Sequence, residues 1–198
     1  MMDEKTKVRI IVLVVFVAIS IGIHVVSGQQ SPIGECNEYE CDVKTRAYTT
    51  ISITKEGEYF GTVQGERVHK TFIDPLTMYD EIGNKIAYAD DNYHLIAQNS
   101  HSIFVSNEMT VEMVGLVDRF GESYDIYNAD GQKIAHAKFN FSNTKGQIHD
   151  NSGNLIADST SKYLSRDYKV RITERCQLDE KTMHMIFASY YSDQRAGW

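Results

Sequence analysis

One eleven-residue pattern occurs three times and narrows what this chain can fold into. It reads Tyr79-Asp80-Glu81-Ile82-Gly83-Asn84-Lys85-Ile86-Ala87-Tyr88-Ala89, then Tyr127-Asn128-Ala129-Asp130-Gly131-Gln132-Lys133-Ile134-Ala135-His136-Ala137, then His149-Asp150-Asn151-Ser152-Gly153-Asn154-Leu155-Ile156-Ala157-Asp158-Ser159. Each copy opens on an aromatic residue or His, continues with Asp or Asn, and keeps its Gly at one place. A polar residue and then Lys or Leu lead into Ile-Ala. This is the pattern of a β-hairpin: a strand, a short polar turn with Gly at positive φ, and a second strand. Gly83, Gly131 and Gly153 are the expected positive-φ positions. Three hairpins in one short domain predict an antiparallel β architecture.

Strand-like sequence begins near Arg46 and shows period two. Tyr168, Val170 and Ile172 alternate with Asp167, Lys169, Arg171 and Thr173, the signature of a half-buried strand. Met109, Val111 and Met113 alternate with Thr110, Glu112 and Val114. Ala135, Ala137, Phe139 and Phe141 share one face, opposite His136, Lys138 and Asn140. The strand pattern stops at Arg175. Asp179 can cap a helix, with Glu180 in its first turn. Met183, Ile186, Phe187 and Tyr190 then fit one helical face, and Met185, Ala188 and Tyr191 add apolar atoms elsewhere. A helix apolar all round must be enclosed. Met183, Met185 and Phe187 would also alternate in a strand, so periodicity alone leaves this stretch open.

A second, weaker repeat precedes two of the strands. Phe120-Gly121-Glu122-Ser123-Tyr124-Asp125-Ile126 matches Leu164-Ser165-Arg166-Asp167-Tyr168-Lys169-Val170. Taken with the hairpins and the closing apolar stretch, these motifs resemble the LURP-one-related branch of the tubby C-terminal and phospholipid scramblase fold, over roughly residues 46–195. The resemblance implies a closed antiparallel β-barrel of about twelve strands. It also implies that 179–195 is a hydrophobic helix threading the barrel, with Met183, Ile186, Phe187 and Tyr190 as its core. It implies no mechanism. The basic residues with which tubby proteins hold phosphoinositides have no match here, nor do the cysteine-rich and calcium-binding segments of scramblases. The LURP-one-related proteins themselves lack an established activity.

Residues 10–26 hold no formally charged side chain and follow Lys5, Lys7 and Arg9. As a helix they would span about 25 Å, near the lower limit for crossing a bilayer. The basic flank places the N-terminus in the cytoplasm and the rest outside. The run is longer than a signal-peptide core usually is, which favours a retained anchor over cleavage near Gly28 followed by secretion. The expected organisation is therefore an anchor or signal at 1–28, an acidic tether at 29–45, and a barrel at 46–198. The tether carries Cys36 and Cys41, a candidate disulfide in an oxidising compartment; the alternative is that these and Cys176 are unrelated thiols. The net charge of −7 opposes contact with phosphate backbones, which excludes nucleic acid as the expected partner.

Chemistry-bearing motifs are absent from the sequence. There is no Gly-x-Ser-x-Gly, and no constellation with motif support for nucleophilic catalysis. Asn128-Ala129-Asp130-Gly131 resembles part of a calcium loop but lacks its first acid and its twelfth-position Glu. His69, His94, His101, His136, His149 and His184 are scattered, with no ligand-type spacing. Asn140-Phe141-Ser142 is a glycosylation sequon. The expectation is a non-enzymatic binding or interaction module with no cofactor or metal, tethered to a membrane through residues 10–26, whose ligand the sequence does not identify, the partner being another protein or a lipid. The alternative is a lipid-handling barrel that takes an acyl chain in its interior or at its rim.

Overall fold

The computed structural model describes residues 35–45, 49–65, 75–93, 99–116, 121–140, 142, 144–162 and 165–193. The chain divides into Met1–Ile33 and Gly34–Trp198, and all of these residues belong to the second unit. The expected anchor at 1–28 and the first part of the tether lie outside them. Among the described residues no helix is long and apolar enough to cross a membrane.

Twelve strands follow in chain order: β1 Cys36–Thr45, β2 Thr49–Lys55, β3 Glu58–Gly65, β4 Leu76–Tyr79, β5 Lys85–Tyr93, β6 Asn99–Val105, β7 Glu108–Leu116, β8 Gly121–Asn128, β9 Lys133–Asn140, β10 Lys145–Asp150, β11 Leu155–Ser161 and β12 Tyr168–Thr173. Among the described residues one helix, α1, runs over Glu180–Asp193. Every strand pairs antiparallel with its sequence neighbours, and β12 returns to β1 to close the barrel. Among the described residues closure leaves no edge strand.

The barrel begins earlier than expected. The stretch read as a tether contains β1, which pairs with β12 from Cys36↔Thr173 to Cys41↔Tyr168 and with β2 from Tyr39↔Lys55 to Thr45↔Thr49. Tyr39, Cys41 and Val43 are buried, while Glu38, Glu40, Asp42 and Lys44 face solvent. The acidic residues are thus the outer face of a strand. The same geometry overturns the candidate Cys36–Cys41 bridge. Five residues apart on one strand, the two cysteines point to opposite faces and stand roughly 16 Å apart along it, far beyond disulfide reach. All three cysteines are free thiols.

The three repeated hairpins are built alike. Gly83, Gly131 and Gly153 have φ of 85°, 74° and 82°. In each, the Asp or Asn three residues before the glycine folds its side chain over the turn. Asp80 Oδ1 accepts from the backbone N–H groups of Ile82 and Asn84 at 3.1 and 2.8 Å. Asn128 Oδ1 accepts from Asp130 and Gln132 at 3.1 and 2.8 Å. Asp150 Oδ1 accepts from Ser152 and Asn154, both at 2.8 Å. Side-chain acceptors that satisfy two backbone donors are what make Asx residues turn formers. These turns share one end of the barrel with the β12–α1 connection.

A barrel of eight strands is filled by its own side chains, whereas twelve enclose a wider lumen. Here α1 fills it. Asp179 caps the helix, its Oδ1 accepting from Thr182 N–H at 3.0 Å. Met183, Met185, Ile186, Phe187 and Ala188 are wholly buried, and Tyr190 and Tyr191 nearly so. Small inward residues on the wall, among them Ala87, Ala89, Ala135 and Ala137, leave the helix its space. The Phe139 and Tyr190 rings stack at 3.5 Å, and those of Tyr168 and Tyr191 at 4.2 Å.

Candidate functional site

Two regions gather polar chemistry: the turn end of the lumen and three seams on the outer wall. At the turn end, Glu180 in the first turn of α1 accepts from Asn37 Nδ2 at 3.0 Å and from Lys55 Nζ at 3.1 Å. One turn deeper, the His184 ring lies between Tyr39 and Phe60, with centroids 4.4 and 5.4 Å away. Neither nitrogen of His184 has a hydrogen-bond partner. Burial lowers its pKa to about 4, against the pull of the Glu180 carboxylate, so the ring is neutral near pH 7. The Tyr39 hydroxyl also meets no partner at hydrogen-bond geometry. Burial, and after it the nearby Glu180 carboxylate, pushes its pKa up. The cluster is an enclosed aromatic and imidazole layer topped by an ion pair. No serine or cysteine nucleophile is seen bonded to His184.

The seams come from one position of the repeat. Its tenth residue, Tyr88, His136 or Asp158, alternates away from the lumen and stands directly opposite a residue of the next strand, with Asp158 itself buried. Tyr88 faces Phe104, and their rings stack at 4.5 Å with planes 4° apart. Lys85 Nζ sits 4.0 Å from the Tyr88 centroid, a cation–π contact. Asp158 faces Arg171, which donates from Nε at 2.9 Å and from Nη2 as well. His136 faces His149. Behind this pair, Asp125 Oδ1 accepts from His136 Nδ1 at 2.8 Å and from Lys133 Nζ at 2.6 Å. Burial alone would raise the Asp125 pKa, but these two donors hold the carboxyl below its usual range.

The residues singled out in the sequence fall in different places. Gly83, Gly131 and Gly153 lie on the turns, and Met183, Ile186, Phe187 and Tyr190 line the core. The calcium-loop likeness at Asn128 is turn chemistry, because its side-chain oxygen is occupied by backbone donors. Asn140 organises the loop before β10: its Oδ1 accepts from the N–H groups of Thr144 and Lys145, and its Nδ2 donates to Ser142 and Thr144 hydroxyls. A glycan on Nδ2 would disturb those contacts. Among the described residues no group of three or more His, Cys, Asp or Glu side chains is placed to hold a metal ion. The pairing of His136 with His149 escaped sequence reasoning, since it depends on register; aligning the repeats and following the tenth position across the seam would have found it.

No family model matches this chain, and no curated protein matches its sequence. Its fold is similar to that in an X-ray structure of an Arabidopsis thaliana protein, a LURP-one-related protein. The TM-score is 0.53 at 10% identity, over 80% of this chain and 91% of that one. The likeness is one of architecture.

Proposed function

We propose that this chain is a divergent LURP-one-related barrel that serves as a non-enzymatic binding module for another protein, held outside the cytoplasm by a membrane anchor at residues 10–26. The observation that carries this reading is the occupied axis: from Thr182 to Tyr191 every helix residue is at most 2% exposed. Binding is thereby left to the wall and the ends. The closed ladder also offers no edge for an added strand. On the wall, the Tyr88–Phe104 stack beside Lys85, with 84%-exposed Ile82 in the adjoining turn, has the aromatic and apolar character that protein partners use. The tether itself rests on the apolar run and the basic flank at Lys5, Lys7 and Arg9. An acyl chain inside the barrel would have to displace α1, which counts against the lipid-handling alternative.

A photo-crosslinking residue at position 104, compared with one at Lys169 on β12 across the barrel, tests the module. One discrete protein adduct is expected from position 104, weakened by Tyr88→Ala, and none from position 169. Equal adducts from both sites, or a stoichiometric acyl lipid extracted from the purified chain, would overturn the reading.

A further inference from the structure

We propose that His136 and His149, with Asp125 behind them, form a surface site for one borderline divalent transition-metal ion such as zinc, copper or nickel. The two histidines are register partners on neighbouring strands β9 and β10. Directly opposed side chains of an antiparallel pair have Cβ atoms about 4.5–5.5 Å apart, within the span that one metal ion bridges between two imidazoles. The seam is unlike its two counterparts. Tyr88 meets a ring that stacks on it, and Asp158 meets a guanidinium. His136 meets a second imidazole, so two metal-ligating side chains stand directly opposite one another.

The second shell fits. A carboxylate oxygen accepts, so the 2.8 Å contact has His136 Nδ1 donating to Asp125 Oδ1. In that tautomer Nε2 is the nitrogen turned to a metal ion. A carboxylate holding the far nitrogen of a ligating histidine is a recurrent arrangement in metal sites. Among the described residues, no protein group hydrogen-bonds the His149 ring. Two imidazoles select borderline transition metals over calcium or magnesium, which prefer oxygen. With two protein donors, water completes the coordination. Lys133, ion-paired to the same carboxylate oxygen, limits the affinity.

The inference is independent of the partner reading above. Its test is titration of the purified full chain with zinc chloride, followed by calorimetry and by the rise in melting temperature that a ligand bound only to the folded state produces. One ion per chain is expected, with calcium chloride inert. His136→Gln or His149→Gln should each weaken binding at least about tenfold, and Asp125→Asn by about 10–100-fold through lost orientation of His136. Both pair histidines are part-exposed, so melting of the metal-free variants should match the parent. Absence of saturable zinc binding, or binding indifferent to the loss of His136 and of His149, would overturn the site.

Discussion

Gly146 stands directly opposite Phe139 across the β9–β10 ladder, and the Phe139 ring occupies the space a side chain at 146 would need. A Cβ there would come within 2.5 Å of the ring and 2.6 Å of Ser159 Oγ. The ring cannot swing away freely, because its other surroundings include Phe187, Tyr190 and Tyr191. Gly146→Ala should therefore destabilise the barrel by roughly 1–3 kcal/mol, the range for overpacking a filled core. Equilibrium urea unfolding measures it. An unchanged midpoint would mean that the wall yields at β10.

The turn glycines should respond for a different reason. A Cβ at Gly131 would meet nothing within 4 Å, but the backbone there has φ of +74°. The cost of Gly131→Val is conformational, about 1 kcal/mol or more for a β-branched residue at positive φ. Gly131→Asn should cost less, because Asn tolerates the left-handed region. The same order, Gly above Asn above Val in melting temperature, is expected at Gly83 and Gly153. Equal melting of all three variants at a site would contradict the turn geometry.

Acid should weaken the fold in two stages. His184 has a folded pKa near 4, below its ordinary 6.5. The unfolded chain therefore takes up a proton first, and stability present above about pH 6.5 drains away as pH falls toward 4. For an almost fully buried ring the loss is of order 2–4 kcal/mol. The groups around it are Glu180, Lys55 and Tyr39. The part-exposed Asp80 and Asp150 follow at lower pH. Hydrogen bonds within their turns, chiefly from Asn84 and Asn154, hold both below the usual carboxylate range. Their contribution is present above that range and lost as pH drops through the folded values. His184→Leu should flatten the upper limb, and Asp80→Asn with Asp150→Asn the lower one. Thermal melts from pH 7 to pH 2 would show whether the limbs separate in this way.

The hairpins were legible in the sequence because their chemistry is local: an Asx side chain and a glycine at fixed spacing dictate the turn. The terminal stretch was legible only through the family resemblance, since Met183, Met185 and Phe187 suit a strand as well as a helix. β1 was hidden by its charge. Tyr39, Cys41 and Val43 alternate as in any strand, but Glu38, Glu40 and Asp42 between them read as a solvated tether, and what pulls the segment into the wall is the need of β12 and β2 for a common partner. The His136–His149 pair was invisible to spacing rules, which describe ligands along one element. Register across the β9–β10 seam brings these two residues together.

The terminal helix carries the most consequential prediction. Chain ends usually tolerate removal, but this one forms the core. Phe187 is fully exposed to the wall's interior contacts and to no solvent, with its ring edge-on to Phe139. Phe187→Ala should cost about 3–5 kcal/mol through lost burial and the cavity left behind. That is a large share of the roughly 5–15 kcal/mol that holds a domain together. Ile186→Asp should be nearly as damaging, because an unpaired carboxylate would be enclosed without a donor. Removing everything after Cys176 leaves twelve strands closed on an empty apolar lumen, and the product should aggregate. Lys169→Glu, on the outer face where Lys169 bridges Glu38 and Glu40, should move the melting temperature far less than the helix substitutions do, because exposed ion pairs contribute little. A soluble fragment ending at Cys176 that melts cooperatively would show that the strands close without the helix, and the filled axis would then no longer confine binding to the outside of the barrel.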